Sequence, residues 1–139
     1  MNICLIIGAA LSAVVAILHM GCIAFGSKWY RFFGAGEKMA ELADQGSFQP
    51  TLITSVIVIV LATFSLYALS GAGFIDKMPF LRLGLCFITF IYIFRGLVGF
   101  YFVINPLGRS PQFWWWSSGI CLVFGLIHLY GLKQIWPSI

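Results

Sequence analysis

The chain has 139 residues and a formal net charge of +4; 61% of its residues are hydrophobic and only 9% are charged. A soluble domain carries about 25% charged residues, so this chain lacks the polar surface to face water on all sides. Its eight basic residues are scattered and form no stripe, which argues against a nucleic-acid partner. We therefore expect a protein whose main surroundings are the lipid bilayer.

Four continuously apolar windows run over residues 4–25, 51–72, 80–104 and 113–133. Crossing a hydrocarbon core of about 30 Å takes about 20 helical residues, and each window is long enough. Spanning strands would alternate apolar and polar residues, which these windows do not do. The first window has no Lys or Arg before it and exceeds the apolar region of a signal peptide, so we expect a retained helix.

The connections predict an all-α integral membrane four-helix bundle of up-down-up-down topology, forming a single transmembrane domain over residues 1–139. Both ends of the chain then lie on one face, side B, and the first and third connections lie on the other, side A. Pro79 is predicted in the first turn of the third helix, and Pro111 is predicted to start the fourth.

The first connection, from about Gly26 to Pro50, is long for a helical bundle, and long connections are usually functional or disordered. Residues 37–45 predict a short amphipathic helix that lies in the interface over the mouth of the bundle. Aromatic residues before this helix and in the run Phe113 to Trp116 are interpreted as an interfacial belt.

Small residues predict the faces on which the helices approach each other closely. The predicted stripes are Gly8, Ser12, Ala16 and His19 in the first helix; Thr51, Ser55, Ala62 and Ser65 in the second; Gly84, Ile88, Tyr92, Arg95 and Gly99 in the third; and Ser118, Cys121, Gly125 and His128 in the fourth. We therefore expect the polar side chains of the membrane windows to face the bundle interior.

Arg95 is the most informative residue, because it lies near the middle of an apolar window. A charge at that depth costs at least about 2.5–3.5 kcal/mol and marks a functional site by default. No acidic residue lies in any window, so the guanidinium needs a loop acid, carbonyl groups, water or an anionic ligand. Its planar fork suits carboxylate or phosphate.

The sharpest hypothesis is a side-A pocket that binds a small anionic or lipid-headgroup ligand, with Arg95 as its anchor. His19 and Tyr92 are predicted to contribute, together with Glu37 and Glu41 if the loop helix folds down over the pocket. The alternative is structural: Arg95 extends to side A or pairs with Glu37 or Glu41 as a lock. His19 would then be an ordinary interhelical hydrogen-bonding residue.

We expect no cofactor, no metal and no catalytic residue. His19 and His128 are predicted about 14 Å apart along the membrane normal, too far to bind one haem or one metal. His19 and Cys22 lie at i, i+3, but no recognised metal-site spacing supports them. The cysteines, which form no C-x-x-C pair, are interpreted as small buried residues.

The strings Phe33 to Ala40 and Tyr67 to Gly73 resemble strings in small, uncharacterised four-helix bacterial inner-membrane proteins. That resemblance covers most of the chain and implies a bacterial inner-membrane location without an activity. The acid- and Asn-bearing second-helix motif of the eicosanoid and glutathione-transferase membrane superfamily is missing. So is the first-helix Glu of small multidrug transporters.

Three functional classes follow. The first is a protein that binds or translocates the Arg95 ligand, and we favour it. The second is a non-catalytic accessory, assembly or immunity-type subunit that docks on a larger membrane partner; a homo-oligomer is also open. The third is a membrane enzyme that uses His19 and loop acids, which ranks last because no nucleophile or metal motif is present.

Overall fold

The computed structural model describes all residues from Met1 to Ile139. The chain is 78% helical and has no strands. The helices are α1 (Ile3–Phe25), α2 (Ser27–Phe32), α3 (Glu37–Asp44), α4 (Gln49–Gly71), α5 (Leu81–Tyr101) and α6 (Pro111–Ile135), followed by a 3₁₀ turn at Trp136–Ser138. The predicted all-α membrane four-helix fold is confirmed.

Helices α1, α4, α5 and α6 are each long and apolar enough to cross a membrane. At most 33% of the most apolar stretch of any of them is buried inside the chain. Many large apolar side chains are exposed instead, among them Ile17 in α1, Ile59 in α4, Phe90 in α5 and Val123 in α6, which is unusual for a water-soluble monomer. The chain is therefore an integral membrane protein by composition and by the direction of its side chains.

The spanning helices pack as two close pairs, α1 with α4 and α5 with α6, and α1–α6 and α4–α5 contacts join the pairs. Glycines let α5 and α6 approach closely. A Cβ atom on Gly96 would lie 2.9 Å from the backbone nitrogen of Leu122, and one on Gly125 would lie 2.9 Å from that of Ile93. Such close backbone packing stabilises helix pairs in lipid, where no hydrophobic effect drives association.

The interior contains two apolar clusters stacked along the membrane normal. The central one comprises Ala16, Leu61, Phe64, Ile88, Tyr92 and Phe124. The side-B one comprises Leu5, Ala72, Leu81, Leu85 and Leu132. One hydrogen bond crosses the central cluster, because the Ser12 and Tyr92 hydroxyls are 2.7 Å apart.

Several details differ from the sequence expectations. Pro79 lies before α5 and not in its first turn, because Phe80 adopts a left-handed conformation with φ 52°. Ala62 is exposed, and the buried face of α4 is instead formed by Pro50, Thr54, Leu61, Phe64, Ser65, Ala68 and Ser70. Helix α6 starts at Pro111, as predicted, and the Ser110 hydroxyl caps it by accepting the Phe113 N–H.

The first connection is a folded unit that packs on the side-A end of α1 and α4. Helix α3 is the predicted amphipathic helix, whereas α2 was not predicted as a helix. Tyr30, Cys22 and Ala40 form a small buried cluster. The hydroxyls of Tyr30 and Thr54 are 3.0 Å apart, which joins this unit to α4.

Candidate functional site

Arg95 projects from α5 toward the side-A end of α6. It lies six residues before Tyr101, the last residue of α5, or about 9 Å below that end of the helix. Its Nη2 donates to the Ser117 hydroxyl at 2.8 Å. Its guanidinium carbon lies 5.0 Å from the centroid of the Trp114 ring, within cation–π range. The side chain therefore contacts α6 and not the first connection.

The other terminal nitrogen of Arg95, Nη1, is buried and has no hydrogen-bond partner in the chain. The hydroxyl of Ser118 is in the same state. Both atoms lie against Gly99, because a Cβ atom there would collide with each of them. Leaving a buried donor unpaired costs about 1–3 kcal/mol, and more for a charged group. Nη1 is thus the most costly unpaired donor in the chain.

No carboxylate compensates the charge of Arg95. Glu37 and Asp44 both pair with Arg31, whose Nη2 lies 2.8 Å from Glu37 Oε1 and 3.0 Å from Asp44 Oδ2. These bonds hold the pKa of Glu37 below its ordinary value; that of Asp44 is also lowered, first by a Ser27 hydrogen bond and then by Arg31. Glu41 is exposed and makes no ion pair.

A second guanidinium, that of Arg109, lies beside the same indole. Its carbon is 5.5 Å from the Trp114 centroid and 4.9 Å from the Phe113 centroid. Its Nε donates to the Ala35 carbonyl at 3.2 Å. Burial lowers the pKa of Arg109, and the positive charge of Arg95 lowers it further. The two cations are therefore close enough to repel each other, yet neither has an anionic partner.

The three adjacent tryptophans are not equivalent. Trp114 is only 8% exposed, and its indole N–H donates to the Pro106 carbonyl at 2.6 Å. Trp115 and Trp116 are 59% and 69% exposed, as expected for an interfacial belt. Trp114 instead lies inside the belt, and the guanidinium groups of Arg95 and Arg109 both lie over its ring.

The other predicted ligand-binding residues are not brought into contact with Arg95. The Nδ1 atom of His19 pairs with the Val15 carbonyl at 2.8 Å within its own helix. Tyr92 is buried in the central cluster and bound to Ser12. Glu37 is held by Arg31. Whether His19, Tyr92, Glu37 or Glu41 contributes to ligand binding remains a prediction.

A cleft of about 280 Å³ lies beneath the first connection. It is lined by Ile23, Gly26, Tyr30, Ala43, Gly46, Ser47, Phe48 and Thr51, and Arg95 is not among them. This cleft is therefore separate from Arg95. The pocket centred on Arg95 under the first connection stays a prediction.

His128 is the other unusual polar residue. It is fully buried, its Nδ1 pairs with the Phe124 carbonyl at 2.8 Å, and its Nε2 has no partner. A Cβ atom on Gly8 would lie 2.7 Å from the ring, so the imidazole fills the space that this glycine leaves. No group of three or more His, Cys, Asp or Glu residues is placed to bind a metal.

The sequence analysis did not assign Arg109, Ser117 or Ser118 to the site. One signal was available: Trp114, Ser117 and Ser118 are spaced i, i+3, i+4, which places them on one face of a helix. No comparable signal identifies Arg109. It reaches the site because the turn at Leu107 and Gly108, both with positive φ, directs the chain back over α6.

Comparison with known proteins gives no functional assignment. No family model matches the chain, and no curated protein or solved structure is similar to it.

Proposed function

We propose that this chain is a small membrane protein that binds a small anionic ligand or an anionic lipid headgroup at Arg95 on side A. The single observation that carries the proposal is the buried Nη1 atom of Arg95, which has no partner in the chain. A guanidinium at this depth needs an acceptor for its remaining donors. All four acids of the chain lie outside its contacts.

The surroundings of Arg95 favour an anion over a structural ion pair. Ser117 satisfies only Nη2, and the nearby hydroxyl of Ser118 is also free. An acceptor oxygen that enters between α5 and α6 would satisfy both groups. Alternatively, the guanidinium rotates and presents Nη1 at the side-A surface. Translocation of the ligand would require such an exchange between the buried and the exposed position.

The location that fits this proposal is a bacterial inner membrane, in line with the resemblance of the two sequence strings.

The alternative function is that of an accessory subunit that docks on a larger membrane protein through small-residue stripes. The chain uses several of those stripes internally, because Gly8, Gly96, Gly99 and Gly125 all face neighbouring helices. This internal use supports the ligand-binding function over the accessory one.

The test compares heat stability with and without ligand in Arg95 variants. Wild-type protein in mild detergent is titrated with phosphatidylglycerol, with oleate and with uncharged diacylglycerol, and its melting temperature is followed. We expect at least one of the two anionic lipids to raise the melting temperature, and diacylglycerol to leave it unchanged. Arg95→Gln should abolish the increase, because it removes the charge and the fork.

The control variant is Arg82→Gln. Arg82 also lies over an indole, with its guanidinium carbon 4.5 Å from the Trp136 centroid, but its Nη2 donates to the Trp136 carbonyl. It should keep the ligand-dependent increase. If Arg95→Met is more heat-stable than wild type and still responds to the anionic lipid, Arg95 is a structural lock and the proposed function is wrong.

A further inference from the structure

The Arg109 guanidinium has free hydrogen-bonding capacity next to the Arg95 site. Only its Nε is bonded, to Ala35; its two terminal nitrogens make no hydrogen bond within the chain. Unlike Nη1 of Arg95, they are not sealed off from the surroundings. Arg109 therefore offers outward-facing donors, and Arg95 offers an inward-facing one beside the same indole.

The charge balance at this place is unusual for a membrane protein. Arg95 and Arg109 are within 5.0 and 5.5 Å of one ring centroid, and neither forms an ion pair. An arginine stays charged at any physiological pH, so neutralisation by deprotonation is not available. Two like charges in a half-buried setting are held together at a cost that an external anion would offset.

The depth of Arg109 indicates which anion is available to it. Arg109 belongs to the connection between α5 and α6, and Trp115 and Trp116, six and seven residues further along the chain, are exposed, as belt residues at headgroup level are. Bilayer phosphates lie at that level. Guanidinium groups bind phosphate through paired N–H donors, and a phosphate has enough oxygens to accept from two arginines.

We propose that Arg109 and Arg95 together bind the phosphate of one ligand, with the Arg95 guanidinium turned so that Nη1 leaves its buried position and faces side A, and with Trp114 as the platform for both guanidinium groups. This inference rests on the proposed function and narrows its ligand from any small anion to a phosphate ester or free phosphate. It also assigns a binding role to Arg109. The Ala35 carbonyl, which accepts from Arg109 Nε, fixes this arginine to the first connection and so couples that connection to the site.

The experiment is native mass spectrometry of the full chain with phosphatidic acid, phosphatidylglycerol, oleate, diacylglycerol and inorganic phosphate as probes. We expect wild type to bind phosphatidic acid and phosphatidylglycerol at least about tenfold more tightly than oleate, with no binding of diacylglycerol. Arg109→Gln should weaken phospholipid binding by about tenfold or more, the effect of losing a charge-assisted hydrogen bond. Arg82→Gln should bind like wild type.

Two further arms identify the source of the phosphate and guard against misfolding. If inorganic phosphate binds and displaces the phospholipid, the natural ligand is a free phosphate; if it does neither, the ligand is a lipid headgroup. Arg109→Lys keeps the charge but loses the planar fork. Arg109→Lys should therefore also lower the affinity for phospholipid. If Arg109→Gln does not melt cooperatively, the affinity of Arg109→Lys is the test of the role of Arg109.

The outcomes separate this inference from the proposed function. If Arg95→Gln loses phospholipid binding but Arg109→Gln and Arg109→Lys bind like wild type, the two-arginine site is wrong and the Arg95 site stands. Equal affinity for oleate and phosphatidic acid likewise overturns the phosphate assignment alone. If Arg95→Gln also binds like wild type, both proposals fail.

Discussion

Two arginines on side A, Arg31 and Arg95, have opposite surroundings. Arg31 is exposed on α2 and takes two carboxylates, those of Glu37 and Asp44. Arg95 is half-buried in α5 and takes none. Exposed ion pairs contribute little to stability, whereas an unpaired buried charge is costly. The acids of this chain therefore lie where they stabilise least, and the arginine that most needs a partner is left without one.

A third arginine shows that an acid is not the only solution. Arg82 lies over Trp136 much as Arg95 lies over Trp114. Its Nη2, however, donates to the backbone carbonyl of Trp136. Near the start of α5, the guanidinium over the indole, that of Arg82, has an acceptor within the chain. Near the other end of α5, the corresponding Nη1 donor of Arg95 has none. The difference between the ends points to an external partner for Arg95.

The largest effect is expected from closing the space beside Arg95. Gly99→Val would place a side chain where Ser118 Oγ and Arg95 Nη1 now lie. The added side chain should displace the Ser118 hydroxyl and the Arg95 guanidinium and destabilise the protein by about 1–3 kcal/mol. Thermal unfolding in detergent measures the loss. Gly119→Val is the matched control, because nothing lies within 4 Å of a Cβ atom there; equal losses would contradict this account.

A second prediction concerns the two neighbouring serines. Ser117→Ala should destabilise the unliganded protein by about 1–3 kcal/mol, because it removes the acceptor of Arg95 Nη2. Ser118→Ala should be neutral or slightly stabilising, because the hydroxyl it removes has no partner. Chemical denaturation of both variants tests the pair. If Ser118→Ala is the more damaging, the assigned hydrogen bonds are wrong.

A third prediction distinguishes the tryptophans. Trp114→Leu removes the platform beneath both guanidinium groups, and each cation–π contact contributes about 0.5–2 kcal/mol. It should lower both the melting temperature and the affinity for the anionic probe. Trp115→Leu is the control, since Trp115 is exposed and lies within no cation–π contact. A platform role is refuted if both variants lose affinity equally.

The smallest effect is expected at the Arg31 cluster. Glu37→Gln should increase protease cleavage between α2 and α3, whereas Glu41→Gln should not, because of these two glutamates only Glu37 contacts Arg31.

The same cluster should depend on pH. The native pKa values of Glu37 and Asp44 are depressed, so the contribution of these carboxylates to the stability of the cluster is present above the ordinary carboxyl pKa of about 4 and is lost as the pH falls further. Cleavage by an acid-active protease should therefore rise below that pH, and an unchanged rate would argue against the cluster.

The spanning helices could be predicted from sequence because lipid demands about 20 apolar residues each, and the observed bounds differ from the expected ones by at most three residues. Helix α2 was missed because its aromatic residues also suit an irregular interfacial segment. The exposure of Ala62 was missed because small size alone does not show which face of a helix is covered.

The site was predicted only in part, for electrostatic and geometric reasons. Arg95 stands out in the sequence because charge at that depth is rare. Its partners depend on the rotation of α6 about its axis and on the turn at Gly108, neither of which the sequence pattern specifies. The expected contact between Arg95 and Glu37 is not formed. Glu37 is instead paired with Arg31, which lies six residues before it in the chain.

The most direct test of the central claim is a solid-state NMR dephasing measurement between ¹⁵N-labelled arginine side chains and ³¹P in phosphatidylglycerol bilayers. The Arg95 signal is identified by its loss in Arg95→Gln. We predict that ³¹P dephases the Arg95 guanidinium signal strongly and leaves that of Arg31 nearly unaffected. An Arg95 signal without ³¹P dephasing, in protein whose four helices are intact, would contradict the binding of a phospholipid headgroup at Arg95.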